Sequence, residues 1–173
     1  MATANTFVQI GSTVTVSTAT ASINFTSIPA TYTDLILYLS ARNSDATPMR
    51  DFRVQFNSDT AANYTNFEVY GISGVAGAGT NITSQIQGVY NADSSTANSF
   101  SNISIYIPNY ASSIQKPLLL DDVAENNSTS DAQARIIGSK WSGTAAITSI
   151  ELTNNSGNYM QYSTASLYGI LKY

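Results

Sequence analysis

The clearest change of pattern in the chain falls between Ser22 and Arg42. Ile23 and Phe25 alternate with polar neighbours until Ile28-Pro29 stops the ladder, because proline has no N–H to donate. Leu35 to Leu39 then runs apolar on both faces of a pleat, as in a strand covered on two sides. These two runs predict a core strand pair. Within the second, Leu35, Leu37, Leu39 and Ala41 form a uniformly apolar face expected to line the interior, and Ile36, Tyr38, Ser40 and Arg42 form the other.

Alternation of period two recurs along the rest of the chain. Phe52, Val54 and Phe56 share one face; Phe67 and Val69 oppose Tyr64, Glu68 and Tyr70; Ile103, Ile105 and Ile107 precede Pro108. Leu118-Leu119-Leu120 is apolar on both faces, and Ala134 to Trp141 and Tyr159 to Tyr173 complete the set. Ile82 to Tyr90 also reads as a strand, and a phase slip between Ile147 and Ile150 predicts a bulge. Asn109–Gln115 could form a short helix. Near the start, Phe7–Ile10 and Val14–Val16 flank Gly11-Ser12 and predict an N-terminal arm or edge strand.

Loops follow from turn chemistry. Asn43 to Pro48, Asn57 to Thr60, Asn91 to Asn98, Asp121 to Asp131 and Asn154 to Gly157 are dense in turn formers. Gly71 to Asn81 holds four glycines and reads as a flexible loop; it has neither a P-loop ending nor dinucleotide-fingerprint spacing. The result is about nine to eleven short strands with no sustained helical period and no repeat of fixed length. The expected fold is all-β: an antiparallel β-sandwich of jelly-roll type, residues 22–173, preceded by a short arm or edge strands over 1–21.

Composition narrows the chemistry. The 173 residues contain no cysteine and no histidine, which excludes disulfides, thiolate or imidazole metal sites, and a Ser-His-Asp triad. Only 10% of residues are charged, whereas Ser, Thr and Asn number 24, 20 and 16. A surface hydrated through hydroxyls and amides repels neighbours weakly and packs against protein at low desolvation cost. A net charge of −4 disfavours nucleic acid and anionic membrane as partners. With 43% hydrophobic residues, eleven tyrosines and six phenylalanines, the chain has ample material for a core. The first ten residues lack a secretory pattern and no stretch is long and apolar enough to span a bilayer, so a soluble product of the cytoplasm is expected.

Candidate sites are few. Asp121, Asp122, Glu125 and Asp131 are hard oxygen ligands, but their spacing fits no calcium loop and a solvated acidic loop is expected. A carboxylate pair such as Asp45 and Asp59 could in principle serve a glycosidase; with eleven acids, such pairs arise by chance, and no catalytic residue, cofactor or metal is expected. Trp141 is expected to close the core rather than stack on sugar. Asn-x-Ser/Thr triplets at Asn63, Asn81 and Asn102 are chance matches. A partner interface is expected at Tyr38, Arg42, Arg50, Arg53, Tyr64 and Tyr70, and at Phe7 and Ile10 of the arm. Arginines can grip a neighbour's carboxylates, or pair within their own loop, and outward tyrosines offer large contact area. Tyr106, Tyr162 and Tyr168 belong to the same outward set.

Phe25-Thr26-Ser27-Ile28-Pro29, Thr31-Tyr32-Thr33-Asp34-Leu35, Ala41-Arg42, Phe56-Asn57, Tyr64 and the closing Leu167-Tyr168-Gly169-Ile170 resemble small virion proteins of tailed bacteriophages, including phages of cyanobacteria and other aquatic bacteria. These are strand and turn signatures, so no site residue is carried over. The resemblance implies a virion structural protein without chemistry of its own. It would be a capsid decoration or cement protein, forming a homotrimer on the major capsid protein, or else a tail or head fibre tip that binds host glycan. A depolymerase is a third reading.

Overall fold

The computed structural model describes residues 6–80, 83–128 and 130–171. Twelve strands run in chain order: β1 (Phe7–Thr15), β2 (Ser22–Phe25), β3 (Asp34–Ala41), β4 (Met49–Phe56), β5 (Tyr64–Ile72) and β6 (Val75–Thr80). Then follow β7 (Ile86–Asn91), β8 (Ser101–Ile107), β9 (Lys116–Ala124), β10 (Gln133–Trp141), β11 (Ile150–Asn154) and β12 (Thr164–Ile170). All pairings are antiparallel. One sheet has the order β1-β12-β3-β8-β9-β10-β5-β6 and the other β2-β11-β4-β7.

This order resolves into two parts. Strands β1-β12-β3-β8 and β2-β11-β4-β7 interleave as the two four-stranded sheets of a jelly roll. The hairpin β5–β6 is inserted between β4 and β7, and β9–β10 between β8 and β11; the two lie side by side and extend one sheet by four strands. Across the jelly-roll part the expected alternation holds. Leu35, Leu37, Leu39 and Ala41 of β3 are buried with Ile103, Ile105 and Ile107 of β8 and Leu167 of β12. They face Phe52, Val54 and Phe56 of β4, Ile150 and Leu152 of β11, and Ile23 and Phe25 of β2 in one core. Each such side chain contributes roughly 1.5–3 kcal/mol by leaving water. Trp141 closes one end: its ring meets Phe56 edge-on at 5.8 Å and its indole N–H donates to Asp59 at 2.7 Å.

Several local expectations are corrected. Of the two readings of the N-terminal segment, arm or edge strand, the second holds: Phe7 to Thr15 pairs with β12 at the edge of the larger sheet, with a register shift at Gly11 (φ 70°). The glycine-rich stretch is the β5–β6 hairpin rather than a flexible loop. Ser73 and Gly74, both at positive φ, turn the chain, and Tyr70 packs where a Cβ on Gly77 would stand. Small residues here admit a neighbouring ring instead of loosening the backbone. Asp121 and Asp122 lie inside β9, so the acidic loop begins only after Ala124. Residues 109–115 form turns, not a helix. Ile147 is buried ahead of β11, in a loop, and there is no bulge within that strand. The last strand starts at Thr164, after Tyr159 has bridged to Thr20 and Asn43. Asn81, Ile82 and Tyr173, included in the sequence reading, lie outside the described residues, as do residues 1–5.

Candidate functional site

In the inserted strands polar and charged side chains join apolar ones such as Leu118, Leu120 and Ile137 on the inner face, and large apolar side chains also stand on the outer face. On β5 the inward positions are Asn66 and Glu68, both buried, while Phe67 and Val69 face out. On β10, Arg135 and Ser139 point inward and Ile136 outward; on β9, Asp122 is inward and Leu119 and Val123 outward. Phe67, Val69, Leu119, Val123 and Ile136 are each between 40% and 58% exposed. Register makes them one surface. Leu119, Gly138 and Phe67 form one row across the strands; Asp121, Ile136, Val69 and Ala78 the next; Val123, Ala134, Gly71 and Ala76 a third. By contrast the jelly-roll half of the same outer face carries Tyr38, Ser40, Asn102, Ser104 and Ser166.

Beneath the apolar surface lies an ionic cluster. Arg135 Nη1 donates to Glu68 Oε2 at 2.8 Å and its Nε to Asp122 Oδ1 at 3.4 Å. Asp122 Oδ2 also accepts the backbone N–H of Val89 at 2.9 Å, which ties β9 to β7 of the second sheet. Ser139 Oγ donates to Asn66 Oδ1 at 2.8 Å, and Asn66 Nδ2 to the Gln85 carbonyl at 2.9 Å. Burial pushes the Asp122 carboxyl up to about 6, against the pull of Arg135 and the Val89 N–H. The fold therefore holds the Asp122 proton more tightly than the unfolded chain does. Stability is expected to fall as pH rises from about 4 to about 6, by up to about 3 kcal/mol. Urea denaturation at pH 4.5 and 7, in the parent and in Asp122→Asn, checks this: the variant should lose that slope.

Asp45 and Asp59 behave oppositely. Asp45 is held below its ordinary pKa by Ser156 and by Arg50, and Asp59 by the Trp141 indole and Asn63. Each stabilises the fold above the carboxylate range and loses that as pH falls through its lowered value. Glu125 accepts the Asn127 N–H at 2.7 Å, and Asp131 accepts from Ser130 at 2.7 Å. Among the described residues no group of three or more His, Cys, Asp or Glu could hold a metal ion.

The expected interface residues scatter. Tyr38 is exposed and meets Tyr168 edge-on at 6.1 Å; Phe7 is exposed at the β1 edge. Ile10 instead turns inward and packs against the core. Tyr64 is 1% exposed and donates to the Asp59 carbonyl at 3.1 Å, so it is a core residue. Tyr70 is half-buried on the inner face. Arg42 is also interior, at 4% exposure. Its Nη2 donates to the carbonyls of Asp93 and Ser95 (3.0 and 3.1 Å) and its Nη1 to those of Thr96 and Ser99 (2.8 and 3.1 Å). Lys116 does the same at another loop, donating to the carbonyls of Ser112 and Ile114. Arg50 pairs with Asp45 at 2.6 Å, and Arg53 donates to Asn155. The cations thus serve this chain's own loops. The apolar surface had a signal in the sequence: β9 is apolar on both faces, and Phe67 and Val69 oppose an acid.

No protein-family model, curated protein or solved structure matches the chain.

Proposed function

We propose that this is a virion structural protein of a tailed phage, a capsid decoration protein that stabilises the shell through contacts with the major capsid protein. The observation that carries this reading is the apolar outer face of β9, β10, β5 and β6 on a molecule with very few surface charges. A monomer rarely leaves so large an apolar patch in water, and such patches mark protein contacts. The resemblance of the strand and turn residues to phage virion proteins supplies the setting. In this reading the protein is not an enzyme, takes no cofactor, and is located in the virion.

Mass spectrometry of intact virions with copy counting tests it. Hundreds of copies per particle are expected, and particles lacking the protein should lose their genome at lower temperature than intact ones. A few to a few dozen copies would instead fit a fibre tip binding host glycan. One feature favours that second reading: Tyr162 stands exposed at positive φ (72°), beside Gln161, Asn98 and Phe100 around a shallow hollow. Strained backbone and an exposed ring next to amides suit a sugar platform. Retention of host glycan by the isolated protein, lost in Tyr162→Ala, is its test.

A further inference from the structure

We propose that the apolar face of β9, β10, β5 and β6 is the seat of a second copy of this chain, packed face to face about a two-fold axis. The inference rests on reading this face as an assembly surface and gives it to a second copy, which leaves the contact with the major capsid protein to the rest of the dimer's surface. The face carries both a projection and a hollow to receive it. Phe67, the most exposed of the large side chains in its three rows, projects beside Leu119, in the row whose middle position is Gly138. Next to it lies a hollow of about 500 Å³ whose apolar lining is Val69, Gly71, Ala76, Val123, Ala134 and Ile136, with Asp121 and the buried Asp122–Arg135 pair bordering it as well. Three of these six are glycine or alanine, which keeps the floor low.

A two-fold axis lying in the plane between the two faces, parallel to the sheets and running between the Phe67 row and the other two rows, sets Phe67 of each copy into the hollow of the other. Such a contact is isologous and closes at two, rather than at the trimer expected from the sequence. Sheets packed face to face at about 10 Å interdigitate in this way. The exposed apolar area is on the order of 500 Å², enough to form the core of a standard interface of ~800 Å² per partner. Charge allows the pairing. The chain is acidic overall at −4, so two copies repel most weakly where charges are fewest, and these three rows carry a single charged side chain, Asp121. Asp121 sits at the β8 side, where it accepts from Ser104. Edge-to-edge pairing through β6 would leave Phe67 and Ile136 in water, so face packing is the more favourable contact.

The test is a charge exchange followed by sedimentation velocity. The parent protein should be dimeric at about 100 µM, well above the micromolar Kd of an ordinary interface of this size. Phe67→Lys and Ala134→Asp should each be monomeric at the same concentration, which for a micromolar parent means association weakened about a thousandfold, and each should keep a cooperative melt. Mixed in equal amounts they should form a heterodimer, because one seat then sets the introduced ammonium against the introduced carboxylate and the other seat is intact. If either variant loses its cooperative melt, Val123→Lys on the hollow's rim takes its place for the dissociation arm. A monomeric or trimeric parent, dimers that survive the single variants, or folded variants that do not complement would each overturn the proposal. A monomer that is nonetheless abundant in virions would overturn it and leave the shell reading standing. A complementing dimer absent from virions would do the reverse.

Discussion

Arg42→Ala is expected to cost about 3–5 kcal/mol of folding stability, as removal of a buried, fully bonded charge does. The guanidinium is nearly inaccessible, and it donates to the carbonyls of Asp93, Ser95, Thr96 and Ser99, with the Asp93 carboxylate at 3.9 Å. Without it those carbonyls face one another with no donor between them, and an unpaired buried polar group costs about 1–3 kcal/mol. Arg42 also anchors its own neighbourhood: its N–H donates to Ser163 Oγ and its carbonyl accepts from Met160. The isolated protein should therefore melt lower and become open to proteolysis within residues 93–99. Arg42→Lys should restore only part of the loss, since an ammonium cannot fork to several carbonyls at once. Thermal melts with limited proteolysis provide the measurement. An unchanged melt with weakened assembly would return Arg42 to the surface role expected from the sequence.

The second large effect belongs to Arg135. Arg135→Met should lose about 3–5 kcal/mol at pH 7, because Glu68 and Asp122 would remain buried without their shared cation. Acid should rescue this variant in part. Asp122 already binds its proton unusually tightly, and without Arg135 its pKa rises further, so protonation relieves the unpaired charge at mild pH. Replacing all three members by leucine-sized apolar residues should be near neutral or stabilising. Guanidinium denaturation of the single and triple variants at pH 5 and 7 distinguishes these outcomes. A triple variant as unstable as the single one would mean that packing, rather than charge, holds β5, β9 and β10 under β7.

The two clusters show why part of this protein is legible as a sequence and part is not. In the jelly-roll strands, local pattern and burial agree. Leu35, Leu37 and Leu39 face inward, Tyr38 faces outward, and Phe52, Val54 and Phe56 follow the same rule. For β5 the same rule points the wrong way, although Leu118, Leu120 and Ile137 of β9 and β10 still follow it. Phe67 and Val69 form the apolar side of β5, yet Asn66 and Glu68 are the side that is buried. Periodicity reports that two faces differ; it carries no information on which one meets the second sheet. That depends on Arg135, which is distant in sequence from Glu68 and neutralises it only once β5 and β10 pair. Glycine content misleads for a related reason. In Val75 to Thr80 it reads as flexibility until Tyr70 is seen packed where a Gly77 side chain would be.

The sequence alone determined the all-β class, the core strand β3 with its leucine face inward, most of the turns, and a surface poor in charge. It also ruled out chemistry that needs histidine or cysteine. These are properties of single residues and of neighbours in the chain, and they hold whatever the strands later pair with. The tertiary structure alone decided that Arg42, Tyr64 and Lys116 are interior, and that Glu68 and Asp122 share one cation. It also decided that Phe67, Val69, Leu119, Val123 and Ile136 gather on one exposed face. Each of these depends on contacts between strands far apart in the chain, and a polar or apolar side chain takes its place only when its partner arrives.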